Sequence, residues 1–247
     1  MSRDLYYIEV LGKALKVLDV FAQVDKPRFT LQEITERSKL SKNTVFRILY
    51  TLAEDGYVVK RGAEYELVRR RDAKDMRSIA GPHMDALRDE FKETVNLGVM
   101  DGREIRYIDV RESRERFRLA ERVGGRDPLH CTALGKSYLA YLPVKDAMAV
   151  LRDVGMPRLT PNTITTLSGI KAELARIREN GYAVDREESM PGAFCVGVPI
   201  LNGDGTAQAA LSVSGPTLRF GPKELPKVSR ALLHAAARIT EQLRGAR

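Results

Sequence analysis

Between positions 30 and 67 the apolar residues recur first at helical and then at alternating spacing. Thr30-Leu31-Gln32-Glu33 has the capping-box spacing in which Thr30 and Glu33 each satisfy a free amide at a helix start. That helix turns Leu31 and Ile34 inward and runs out near Ser38. Lys39-Leu40 then makes a turn, and Ser41 offers a second N-cap. In the helix that follows, over 42–54, Val45, Ile48, Leu49 and Leu52 share one face. Lys42, Asn43, Arg47 and Tyr50 fall toward the other, with Thr44 near the N-terminal edge. Gly56 is expected to end it. Residues 57–60 and 64–67 alternate around Arg61-Gly62-Ala63, a hairpin signal with glycine at its tip. Upstream, Leu11, Ala14, Leu15, Leu18 and Ala22 trace one helical face that would close the small core.

After the hairpin, Arg69-Arg70-Arg71 and the polar residues to Lys74 mark a boundary. Two helical pieces are expected to meet at Gly81-Pro82, because proline breaks the backbone ladder. Met84, Leu87 and Phe91 form a stripe that packs on the following domain or on a second copy. Strand patterns follow over 94–100, 105–110 and 117–123, with an Asp101-Gly102 turn. Helical patterns occupy 133–141, 145–152 and 168–180, the last with Ile170, Leu174 and Ile177 inward and Gly181 as its stop. Strands return over 182–186, 194–200 and 207–214. A last amphipathic helix over 224–244 turns Val228, Leu232 and Ile239 inward. Strands on both sides of a helical block predict an α+β chain with an antiparallel sheet flanked by helices. The expected domains are a winged helix-turn-helix over 1–70, a linker helix over 71–92 and an α+β domain over 93–247.

Charge sharpens the reading of the first domain. A formal net charge of +8 and a pI near 9.5 favour a polyanionic partner. A charge balance does not separate DNA from RNA or an acidic membrane surface; the helix-turn-helix pattern does. Arg37, Lys39, Ser41, Lys42, Asn43, Thr44 and Arg47 cluster around the start of the second helix, the end that enters the major groove in this motif. Asn43 and Arg47 have the chemistry to read adenine and guanine edges. Lys39 and Lys42 suit phosphate, and Lys60 and Arg61 would be presented on the wing. The bland alternative is a solvated basic face, but caps, turn length, apolar spacing and wing all agree on one arrangement.

No apolar run approaches the ~20 residues that span a bilayer, so a cytoplasmic chain is expected. Cys131 and Cys195 lie outside any Cys-x-x-Cys spacing; neither a disulfide framework nor a zinc motif is written, and no metal or cofactor is expected. His130 beside Cys131 is the one local pairing that suggests nucleophilic chemistry.

In the second domain, Thr132 or the residues before it would cap a helix starting near Ala133, leaving free amides and a positive dipole end suited to a small anion. Ser212 and Ser214 lie two apart in an otherwise apolar strand, so both hydroxyls point to one face and need partners. A ligand, backbone groups or the following Gly215-Pro216 turn would each satisfy them.

Four blocks in order resemble the IclR family of bacterial transcriptional regulators, across nearly the whole chain. They are Leu11-Gly12-Lys13-Ala14-Leu15-Lys16-Val17-Leu18 with the helix-turn-helix; Pro128-Leu129-His130-Cys131-Thr132-Ala133-Leu134-Gly135-Lys136 with Leu139-Ala140; Gly181-Tyr182-Ala183-Val184-Asp185-Arg186-Glu187-Glu188; and Ala210-Leu211-Ser212-Val213-Ser214-Gly215-Pro216. The resemblance implies a winged helix, a linker helix and a C-terminal GAF-like domain that binds a small effector, often a carboxylate-bearing metabolite, in dimers or dimers of dimers. Carried over residue by residue, it places the effector pocket on Ala133, Leu134, Asp185, Cys195, Ser212 and Ser214. The residues alone would make Asp185 a strand-end acid and Cys195 a buried thiol. An acid beside an anion is repulsive unless it accepts from an effector hydroxyl or is itself protonated.

The sequence departs from the family pattern in two places. Leu67-Val68 runs into three arginines where Leu-Gly is usual, and Gly197-Val198 stands where two alanines are common, which bears on pocket size. The implied function is a DNA-binding regulator of transcription controlled by a small organic acid, with double-stranded palindromic DNA as partner. Two rivals remain: an enzyme using Cys195 or Cys131 as nucleophile with His130 as base, and a winged helix that binds protein.

Overall fold

The computed structural model describes residues 7–22, 28–55, 57–67 and 73–245. Expectations that fall on Gly56, on Arg69, Arg70 and Arg71, and on the side chains of Ala22 and Lys74 lie outside the described residues. The chain divides into two compact units, Met1–Asp72 and Ala73–Arg247.

In the first unit, α1 (Glu9–Ala22), α2 (Leu31–Ser38) and α3 (Lys42–Glu54) stand against a three-stranded antiparallel sheet of β1 (Arg28–Thr30), β2 (Val58–Arg61) and β3 (Glu64–Leu67), in the order β1-β3-β2. Strand β1 had no sequence signal, being three residues long. The capping box at α2 forms as expected: Thr30 Oγ1 accepts from Glu33 N at 3.3 Å, and Glu33 Oε2 accepts from Thr30 N at 2.8 Å. Lys39, in the left-handed region at φ 55°, turns the chain into α3. Val45 and Leu49 are buried with Phe29, Ile34, Val58 and Tyr65. The expected face of α1 is corrected. Val17, Val20 and Phe21 enter the core, Phe21 edge-on to Phe29 at 5.5 Å, whereas Leu11 and Leu15 are 56% and 53% exposed. Two branched residues and an aromatic at 17, 20 and 21 fill the space that the leucine stripe was expected to fill.

The second unit opens with α4 (Ala73–Phe91), which runs continuously through Pro82. The break expected there does not occur. The lost hydrogen bond and ring clash of an internal proline are offset by packing, since Met76, Ala80, Met84 and Leu87 are all buried. Arg111 also ties the helix to the sheet by reaching Asp85 at 3.1 Å.

Six strands make one wholly antiparallel sheet: β4 (Thr94–Asp101), β5 (Glu104–Arg111), β6 (Arg126–Pro128), β7 (Ala183–Arg186), β8 (Ala193–Leu201) and β9 (Ala207–Pro216), in the order β6-β5-β4-β9-β8-β7. On one face α4 and α8 (Leu225–Gly245) bury a core with Val95, Leu97, Val196, Val198, Leu211 and Val213. On the other lie α5 (Ala133–Ala140), α6 (Val144–Val154) and α7 (Leu167–Asn180). The strand expected over 117–123 is not formed. That segment is a loop with Phe117 and Val123 exposed, and the edge of β5 is taken instead by β6. Its backbone is held at single points rather than by a ladder: Thr94 Oγ1 donates to the Leu119 carbonyl at 2.6 Å, and Arg219 Nη1 to that of Phe117 at 2.8 Å.

Candidate functional site

Sheet register decides which side chains meet in the second unit. Asp185, Cys195 and Ser214 are cross-strand neighbours in one row, and Gly197, Ser212 and Asn96 in the next. Side chains alternate along a strand, so these polar residues share the face turned toward α5, while Leu211 and Val213 take the dry face against α4 and α8. The start of α5 comes close because β8 carries glycine at 197. A Cβ there would lie 2.7 Å from the Ala133 carbonyl oxygen.

Between the start of α5 and this polar patch is a cavity open to solvent. Its lining includes all six expected effector residues: Ala133, Leu134, Asp185, Cys195, Ser212 and Ser214. Thr132 caps α5, its hydroxyl accepting from Gly135 N at 3.0 Å and donating to the Pro128 carbonyl at 2.9 Å. One cap leaves the amides of Ala133 and Leu134 without an intrahelical partner at the cavity wall.

The site residues differ in how free they are. Ser214 accepts from Asn96 Nδ2 at 3.2 Å and lies across the strands from Cys195, whereas Ser212 makes no side-chain hydrogen bond among the described residues. Asp185 is spent on its own loop: Oδ1 accepts from the amides of Glu188 at 2.7 Å and Ser189 at 3.3 Å, and Oδ2 from the Ser189 hydroxyl. Burial holds its carboxyl above the usual range in spite of these bonds.

The sequence reading missed several wall residues, among them Asn96, Tyr107, Glu121, Asp127, Ser189 and Met190. Tyr107 donates to Asp127 Oδ2 at 2.5 Å. Burial, with the charge of Asp127 beside it, raises Glu121 to about 7. Asn96 had a usable signal, since it lies two residues beyond Thr94 on a strand that pairs with the serine-bearing one. Glu121 had none, because its loop read as a strand.

Behind the cavity, Lys136 of α5 is fully buried. Its ammonium donates to Glu188 Oε1 at 2.5 Å, the Val184 carbonyl at 2.7 Å and Glu173 Oε1 at 3.4 Å. The pair clamps α5 to the loop that brings Ser189 and Met190 to the cavity. The thiols are not activated. Burial raises Cys131 to about 12 and lifts Cys195 well above its ordinary value, while the His130 ring bonds the Pro157 carbonyl at 3.0 Å. Among the described residues no group of three or more His, Cys, Asp or Glu is arranged to hold a metal ion, and no helix is long and apolar enough to cross a membrane.

In the first unit, Ser41 caps α3, its hydroxyl accepting from Thr44 N at 3.3 Å and lying 2.9 Å from the Thr44 hydroxyl. Those two side chains therefore serve the helix start. Lys39, Lys42, Asn43 and Arg47 are exposed and make no side-chain hydrogen bond or ion pair among the described residues. Arg37 lies over the Phe29 ring at 5.5 Å and Lys60 near that of Tyr65 at 5.8 Å; Arg61 pairs with Glu66 at 2.9 Å. Exposed Phe46 and Tyr50 extend the α3 face, and Phe46 was not singled out from sequence.

Comparison with known proteins places matches over both units. The family model described as "Bacterial transcriptional regulator IclR C-terminal" matches residues 68–241, and "IclR helix-turn-helix domain" matches residues 10–62. The HTH-type transcriptional regulator KdgR of Escherichia coli (strain K12) is 34% identical over 239 residues, covering 92% of this chain and 90% of that protein. The crystal structure of the Thermotoga maritima IclR is 32% identical with a TM-score of 0.65, covering 96% of this chain and 99% of that one. An IclR homologue from Microbacterium hydrocarbonoxydans, solved in complex with 4-hydroxybenzoate, is 25% identical with a TM-score of 0.63 over 96% of this chain and 99% of that one.

Proposed function

The chain belongs to the IclR family of bacterial transcriptional regulators, and from that membership we infer that it is a sequence-specific DNA-binding regulator whose grip on its operator is modulated by a small organic acid. The observation that carries the effector half is the cavity. Six positions spread from 133 to 214 converge where α5 presents its free amides, and Ser212 has no side-chain hydrogen bond there among the described residues. A carboxylate lies well on such amides because backbone N–H groups and the helix dipole both favour an anion.

The DNA half rests on α3. In a dimer, two copies of Lys42–Glu54 would enter successive major grooves of a palindromic site about 34 Å apart. Arg47 and Asn43 read base edges; Lys39, Lys42, Lys60 and Arg37 hold phosphates. Coupling has a physical route inside the second unit. The strand that turns Asn96 toward the cavity turns Val95 and Leu97 against α4, the helix that follows the DNA-binding unit in sequence. The thiols with raised pKa and the engaged His130 favour a regulator without catalytic activity over a cysteine enzyme.

The test is binding of the purified chain to DNA flanking its own coding region, titrated with salt and repeated with a panel of organic acids. The expected result is specific, salt-dependent binding that one acid shifts, with Ser212→Ala losing the shift while keeping the DNA. No specific binding under any acid, followed by failure of an unbiased selection of bound sequences, would refute the assignment.

A further inference from the structure

The cavity wall carries three carboxyl groups, Glu121, Asp127 and Asp185, and no lysine, arginine or histidine. An anion entering it meets a favourable dipole at the start of α5 but no cationic side chain on the wall, the Lys136 ammonium behind it being paired with Glu188. Asp185 is already occupied by the Glu188 and Ser189 amides and the Ser189 hydroxyl. Asp127 accepts one bond, from Tyr107. Glu121 accepts none among the described residues, although its loop is fixed by the Thr94 bond to Leu119 and by backbone bonds between Tyr107 and both Gly124 and Gly125.

A second observation points the same way. Asn96 is 1% exposed and its Oδ1 has no hydrogen-bond partner. Its Nδ2 donates to Ser214, which leaves the amide oxygen over. Buried polar atoms in native proteins are almost always paired. Apart from the amides at the start of α5 and the Ser212 hydroxyl, what is left unpaired on this wall is a set of acceptors, and the second carboxylate of a dicarboxylic acid brings only more acceptors. A ligand with donors satisfies them and favours the ionised form of Glu121, which burial raises to about 7, whereas a ligand without donors leaves the acceptors unpaired.

We propose that Glu121, Asp127 and Asn96 form a donor-reading subsite, so that the effector is a bifunctional acid whose carboxylate lies on the Ala133 and Leu134 amides and whose hydroxyl or ammonium groups bond these acceptors. Plain monocarboxylic and dicarboxylic acids are selected against. The proposal rests on the organic-acid reading above and adds the chemistry of the effector's other end.

The experiment is calorimetric titration of the full chain with two matched sets of acids. The three-carbon set is propionate, glycerate, serine and malonate; the six-carbon set is hexanoate, gluconate, lysine and adipate. Within a set, the hydroxylated or amino member should bind more tightly than the plain and dicarboxylic members by about ten-fold, the worth of one charge-assisted hydrogen bond. Glu121→Leu should close most of that gap. Glu121→Gln keeps an acceptor and removes the charge, so it should spare a hydroxy acid and weaken an amino acid, which identifies the donor. A urea midpoint by circular dichroism equal to the parent's shows that each variant is folded. A plain or dicarboxylic acid that matches its donor-bearing counterparts, or a gap unmoved by Glu121→Leu, overturns the proposal. Silence from both sets, with operator binding intact, instead removes the organic-acid effector beneath it.

Discussion

Replacing Lys136 by methionine tests whether the buried clamp holds the effector cavity together. The ammonium has three acceptors, but they do not lose equally. Glu173 keeps Arg176, whose Nε and Nη2 reach it at 2.9 and 2.7 Å. Glu188 keeps nothing on Oε1, and its Oε2 is already without a partner. The Val184 carbonyl also loses its side-chain donor. Methionine restores most of the volume, so the cost is electrostatic rather than a cavity. Leaving one member of a buried pair uncompensated costs about 3–5 kcal/mol. With a urea slope of about 2 kcal/mol per M, the midpoint of the second unit falls by about 1.5–2.5 M. The chain has no tryptophan, so far-ultraviolet circular dichroism is the probe.

Two controls separate this from nonspecific damage. The double variant Lys136→Met/Glu188→Gln removes the orphaned charge and should recover about 2 kcal/mol relative to the single one. The pH dependence has a fixed sign. Burial already holds Glu188 above its ordinary value of 4.5, with Lys136 pulling it down. Without the ammonium it rises further, so between 4.5 and that raised value the folded variant holds a proton that the unfolded chain has released. The deficit is therefore full at alkaline pH and shrinks as the pH falls toward 4.5. A single variant within about 1 kcal/mol of the parent, or a double variant no more stable than the single one, refutes the reasoning.

Arg47→Ala should weaken specific operator binding by about 1–3 kcal/mol and relax the preference at one base pair; an unchanged preference in a competition assay removes Arg47 from base reading. Lys60→Ala should weaken all duplexes alike and flatten the slope of log affinity against log salt by about 0.9, so a loss confined to one sequence argues against a phosphate role. Gly197→Ala places a Cβ 2.7 Å from the Ala133 carbonyl oxygen and should push α5 off β8. It should cost about 1–3 kcal/mol of stability and abolish the effector titration while operator binding survives; an effector affinity equal to the parent's would show that the start of α5 does not hold the ligand.

What could be read from sequence follows from how local the determining physics is. The two helices α2 and α3 were legible because capping is decided within four residues: the Thr30–Glu33 box forms as the pattern has it, and Ser41, expected as an N-cap, accepts from the Thr44 amide. The pairing of Ser212 with Ser214 on one face was legible because a strand alternates with period two. Failures came where a distant neighbour decides. The leucines of α1 have the right spacing for a core face, yet the sheet and α2 select Val17, Val20 and Phe21. Pro82 reads as a break, yet a continuous apolar face against the sheet carries the helix through it. Residues 117–123 alternate like a strand, but the edge of β5 is already paired with Arg126–Pro128, so the segment arches out and delivers Glu121 to the cavity. That last failure matters most for specificity. The residues proposed to receive an effector's carboxylate lie on a helix start and a strand, where periodicity announces them, whereas Glu121, proposed to meet the rest of the ligand, sits on a loop whose course is set by single bonds from Thr94 and Arg219. Relatives that share the helix start and the serine strand can thus differ in effector through loop residues that no repeating pattern marks.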